Sequence, residues 1–219
     1  MKIPFGMVAM LILTASAKLQ AANYCGALEN AYGPFDYTDG ENQPHLALVE
    51  IAHFTPSVEH LTKGNTGTLG GDLAYTLRVF PNHHRALMAI GKLALRDKKL
   101  RPDGAGYSVD CFFDRAIRFK PDDGIVHMVY GIYFSQSGNL EKAIDQLELA
   151  VKLEPENANI NYNLGLLYMK KKNYEQARIH AKKAYQLGFS LPGLKNMLSA
   201  AGKWSEPPGQ TGQTGQSRQ

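Results

Sequence analysis

The chain repeats itself at an interval of 34 residues: Gly131 returns as Gly165, Ala143 as Ala177 and Ala150 as Ala184, and the aromatic Phe134 is matched by Tyr168. The register continues upstream, where Ala116 and Pro121 stand 34 residues before Ala150 and Pro155. Gly91, Gly131 and Gly165 each follow a proline by ten residues, at Pro81, Pro121 and Pro155. Self-similarity at such a period marks a stack of units. None of them buries its apolar face alone, and about three are needed for a continuous core.

The period, with this order of small and large residues, resembles the tetratricopeptide repeat, a pair of antiparallel helices per unit. The resemblance implies an all-α fold: a superhelical array of about three helical hairpins, preceded by a divergent helical N-terminal segment over 23–81 and closed by a capping helix. Carried over residue by residue, the repeats run 82–123, 124–157 and 158–191, with a cap over 191–204. Helices are expected over 82–96 and 108–120, 125–135 and 140–153, and 158–171 and 174–187. From Gly91 to Val109 is 18 residues where the later repeats have 12, so six extra residues fall within 97–107, among the loop formers Pro102, Asp103, Gly104 and Gly106. Residues 72–82 align on 112–122 and 146–156, which adds a divergent half-unit. In the family the glycine and first alanine sit where the two helices of one hairpin touch. Small side chains there allow a close helix packing of about 8–10 Å.

Ahead of the repeats, Lys2, the apolar or small residues 3–17 and the small residues Ala15, Ala17, Ala21 and Ala22 read as a cleavable export signal over 1–22. The apolar run of about fifteen residues falls short of the roughly twenty that cross a bilayer. Export predicts a periplasmic protein. There Cys25 and Cys111 are expected to join in a disulfide, two buried free thiols being the alternative. In the divergent segment, 33–40 is turn-rich, 46–54 has helical spacing, and Thr55 reads as the N-cap of a short helix with Pro56 at its first position, running to about residue 62. Four glycines (Gly64, Gly67, Gly70, Gly71) make 63–71 a mobile loop in this reading. The tail over 205–219 is Pro, Gly, Gln and Ser without large apolar residues, and is expected to be disordered.

Composition adds mainly exclusions. At 44% hydrophobic and 20% charged residues the chain suits one globular unit. Its net charge of +4 falls to about +2 without Lys2 and Lys18, too little to argue for nucleic acid as a partner. No Gly-x-Ser-x-Gly occurs, and the glycine-rich 64–71 lacks the Gly-Lys-Ser/Thr ending of a phosphate loop, so no enzyme activity, cofactor or small-molecule substrate is expected. His53, His60, His83 and His84, with Glu50, Glu59 and Asp72, keep a metal-dependent enzyme or metal-binding protein built from 45–85 as an alternative. Their spacing supports no ligand set, and no metal site is assigned.

Binding is the stronger expectation. The resemblance implies a groove lined by the first helices: Arg85, Met88, Lys92 and Arg96, then Ile125, Met128 and Ile132, then Asn159, Tyr162, Asn163, Leu166 and Lys170. Such a groove would be basic at both ends and apolar between, suited to a segment with a hydrophobic anchor and acidic flanks. The expected function is therefore a periplasmic adaptor or scaffold in an envelope assembly. Its partner is another envelope protein or peptide segment, with self-association as a second route.

Overall fold

The computed structural model describes residues 25–204, so the expected export signal and C-terminal tail lie outside the described residues. The chain divides into two compact units, Met1–Leu153 and Glu154–Gln219, where composition predicted one. In the first, an irregular segment and a 3-10 turn (Gly40–Asn42) lead into α1 (Gln43–His53), α2 (Pro56–Glu59), α3 (Leu69–Val79), α4 (His84–Asp97), α5 (Val109–Phe119), α6 (Gly124–Gln136) and α7 (Leu140–Leu153). The second holds α8 (Ala158–Lys170), α9 (Tyr174–Gln186) and α10 (Gly193–Ala200). Among the described residues there is no strand, and no helix is long and apolar enough to cross a membrane.

Helix starts are fixed by polar side chains that accept otherwise unpaired backbone N–H groups, each cap being worth about 1 kcal/mol. Ser108 accepts from Cys111, Asp123 from Val126, Asn157 from Asn159 and Ile160, and Asn173 from Gln176. At α4 the cap is a histidine, whose Nδ1 accepts the Ala86 N–H at 3.1 Å. Thr55, expected to cap α2, makes no such bond and pairs instead with the Ser57 hydroxyl at 3.0 Å.

The repeat register describes real contacts in two hairpins. A Cβ on Gly131 would lie 2.9 Å from the Ala143 carbonyl oxygen on α7, and one on Gly165 would lie 3.3 Å from that of Ala177 on α9 and 2.5 Å from Leu194 on α10. Bare backbone is what lets α6 meet α7 and α8 meet α9. Gly91 departs from the family pattern: its nearest neighbour is the Tyr133 ring of α6, at 3.2 Å from a built Cβ, rather than its own partner helix α5. The long connection between α4 and α5 separates that pair, and α6 closes on α4 in its place. The capping helix is shorter than expected, but its Leu194 and Leu198 are fully buried, as a terminal cover requires.

The core of the first unit joins Leu73, Leu77, Leu87, Ile90, Leu93, Phe112, Phe113 and Val126, all fully buried. Burying one such side chain stabilises by about 1.5–3 kcal/mol. A smaller cluster, Leu46, Val49, Val79 and Phe80, is covered by Tyr32, Phe35, Tyr37 and Tyr75. The N-terminal segment is therefore packed along the helices, and the Phe35 N–H donates to the Val79 carbonyl at 2.8 Å. Its start is anchored by the expected Cys25–Cys111 disulfide, with Cα atoms 5.0 Å apart. The buried Arg115 donates to the carbonyls of Cys25 and Ala27, and Arg118 donates to that of Gly26.

The glycine-rich stretch is not slack chain. Asn65 and Thr66 donate their backbone N–H groups to the Asp72 carboxylate at 2.6 and 3.2 Å. Thr68 caps α3, which already includes Gly70 and Gly71. A Cβ on Gly70 would stand 2.4 Å from the Asp103 carbonyl oxygen, so this glycine is needed for close backbone approach to the inserted loop.

Candidate binding cleft

On α4, Arg85, Met88 and Lys92 are spaced three and four apart and share a face; Ile125 and Met128 do the same on α6. The two stripes border one cleft of about 260 Å³, lined also by Glu59, His84, Ala89 and Val129. Its floor is aliphatic and thioether, a surface that adapts to irregular apolar partners. Five predicted groove residues, Arg85, Met88, Lys92, Ile125 and Met128, thus come together. Arg96 and Ile132 do not line this cleft. Arg96 turns away to pair with Asp97 and to donate to the Leu61 carbonyl at 2.7 Å.

The expected basic end of the groove is partly neutralised by the chain itself. Arg85 sends Nε to Glu59 Oε1 at 2.8 Å and Nη2 to the other oxygen of the same carboxylate, while Nη1 reaches Glu50 at 3.3 Å. These hydrogen bonds from Arg85 hold the Glu59 carboxyl below its ordinary range. Arg85 also lies over the Phe54 ring, 5.1 Å from its centroid. Nothing in sequence spacing points to residues 54–61 as a flank of the groove, because their contact with α4 is long-range. Lys92 is exposed and makes no ion pair among the described residues.

The candidate metal residues are paired off separately. His53 Nδ1 meets Asp72 at 3.1 Å, His83 Nε2 meets Glu50 at 3.1 Å, His84 Nε2 meets Asp123 at 2.8 Å, and His60 Nδ1 meets the Pro56 carbonyl at 2.7 Å. Among the described residues no three His, Cys, Asp or Glu side chains are grouped to hold a metal ion. Glu50, one turn from His53, serves His83 instead.

In the second unit the predicted groove residues lie on α8. Tyr162 stacks on Phe189 with centroids 3.9 Å apart, and the Asn163 amide donates to the Asn159 carbonyl at 2.8 Å. Phe189 occupies the place where the earlier repeats carry the closing Pro121 and Pro155, and it spends one face of Tyr162 on the unit's own packing.

Two known families match the later part of the repeat region. Residues 132–172 match a family described as TPR repeat, and residues 158–187 one described as tetratricopeptide repeat. Residues 132–187 are tetratricopeptide repeats. An uncharacterized protein of Haemophilus influenzae is 29% identical to this chain over 112 residues, which span 51% of it and 58% of that protein's length. The solved structure of Pseudomonas aeruginosa pilF superposes with a TM-score of 0.52 at 17% identity, covering 74% of this chain and 70% of that one. At that identity the likeness speaks for the tetratricopeptide fold alone. Proteins of this fold mediate protein–protein interaction.

Proposed function

We propose that this tetratricopeptide-repeat protein is an exported, periplasmic adaptor that holds another envelope protein, and not an enzyme. One observation carries the reading: an apolar cleft, open between the first helices of two successive hairpins and bordered by the cations Arg85 and Lys92. An aliphatic side chain fits its floor, and flanking carboxylates suit its rim. The Cys25–Cys111 disulfide supports the periplasmic assignment, since such bonds persist in oxidising compartments and are rare in the bacterial cytosol. The signal-like residues 1–22 support it independently.

The test is a photo-crosslinking amino acid at position 128 of the full chain, expressed in the native bacterium. The expected result is a discrete covalent adduct with one envelope protein in the periplasmic fraction, lost when Met88→Lys is added. An adduct pattern indifferent to Met88→Lys would remove the cleft from the role. Recovery of the protein in the cytosol with its N-terminal residues uncleaved would remove the compartment.

A further inference from the structure

We propose that Glu59 is a placeholder in the cleft: in the unbound protein it occupies the position on Arg85 that an acidic side chain of the partner segment takes, while an aliphatic side chain of that segment rests on Met88, Ile125 and Met128. The inference deepens the adaptor reading and rests on it.

The structure displays the site with a carboxylate in it. Glu59 receives two parallel N–H donors from one guanidinium, the geometry by which arginine recognises carboxylates generally. Arg85 remains 49% exposed, so a ligand approaching along the cleft reaches the same fork. One turn on from Arg85 comes Met88, and one turn further Lys92, an exposed cation without an ion pair among the described residues. An acid, an aliphatic anchor and a second acid along an extended segment therefore find matching partners in order.

The placeholder sits on a short element. It comes from α2, a helix of four residues whose C-terminal flank turns through Leu61 in the left-handed conformation, with φ of +58°. That conformation is unfavourable for a non-glycine residue. Leu61 is kept there by packing on the core and by the Arg96 bond to its carbonyl. Arg85 is 49% and Glu59 28% exposed, so solvent and a competing carboxylate both reach the pair. A partner carboxylate competes with Glu59 for the same guanidinium fork, against the advantage that Glu59 has as part of the same chain.

The experiment measures fluorescence anisotropy of a labelled short peptide alternating Glu and Leu, with Gln–Leu and Lys–Leu counterparts, against the full mature chain and its Glu59→Gln and Met128→Lys variants. Glu59→Gln preserves side-chain length at a partly exposed site, and its thermal melt is read first. The expected result is that the Glu–Leu peptide binds best, that Glu59→Gln tightens it by about two- to fivefold without changing the Gln–Leu peptide, and that Met128→Lys abolishes binding. Equal or weaker binding of Glu–Leu to Glu59→Gln overturns the placeholder and leaves the cleft standing as a site. Absence of binding by every peptide to both proteins brings down the cleft reading as well. If sedimentation shows Glu59→Gln forming dimers that Met128→Lys disperses, the occupant is a second copy of the chain and the peptide assignment falls.

Discussion

The Nε2 of buried His83 lies 3.1 Å from the Glu50 carboxylate, while its Nδ1 accepts the Ala86 N–H that begins α4. An accepting Nδ1 puts the ring proton on Nε2, so the neutral tautomer serves both bonds. Burial pushes the His83 pKa below its ordinary value, against the upward pull of Glu50. Below about pH 6.5 the unfolded chain takes up a proton that the folded chain resists. Stability from this residue is therefore complete above that pH and is lost as pH falls through it. The melting temperature should drop between about pH 7.5 and pH 5.5, and the drop should shrink in His83→Asn, which keeps a capping acceptor but cannot titrate.

Asn82 is a fully buried hub. Its side-chain oxygen accepts from the Tyr37 N–H, and its amide donates to Asp36 at 2.8 Å and to Asp123 at 3.0 Å. Asn82→Asp removes both donations and sets a third carboxylate beside two others. The expected loss is about 3 kcal/mol near neutral pH. Crowding raises carboxyl pKa values in the folded state, so this variant should regain stability on acidification, opposite in sign to the wild type. Thermal melts across pH check both statements.

Gly131→Ala gains up to about 1 kcal/mol of helix propensity. It also drives a methyl group to 2.9 Å from the Ala143 carbonyl and 3.0 Å from Leu147, where backbone must move. Overpacking of about 1–3 kcal/mol outweighs the gain. Urea unfolding should show a net loss of about 1–2 kcal/mol, and a smaller change for Gly91→Ala, which meets only the Tyr133 ring.

The disulfide closes a loop between positions 86 apart. Replacing both Cys25 and Cys111 with serine should lower stability by about 4 kcal/mol on the chain-entropy account. Unfolding curves of the variant, and of the wild type under reductant, should coincide.

Repeating small residues made the last two hairpins legible, because a close contact such as Gly131 on Ala143 is a local demand that Gly165 on Ala177 repeats. The helices that follow Ser108, Asp123, Asn157 and Asn173 were placed by the 34-residue register, while their capping bonds show only in the structure. Before α4 the helices were legible from their spacing, but the order of the segments between them was not, since it comes from partners far off in sequence. Gly70 reads as slack until Asp103 is set against it, and Asp72 reads as one more helix acid until the chain at 65–66 folds onto it. The groove was legible only in part. Helical spacing brought Met88 and Met128 to one cleft, but it carried no sign that Glu59 would meet Arg85 or that Phe189 would cover Tyr162.

The covalent link from Cys25 to Cys111 also dictates a sequence of events during synthesis. The wrap cannot be locked until α5 has been made, although Leu46, Val49, Val79 and Phe80, which shelter Tyr32, Phe35 and Tyr37, are all synthesised before it. The segment ahead of α1 is therefore fastened covalently only after its apolar shelter has been synthesised.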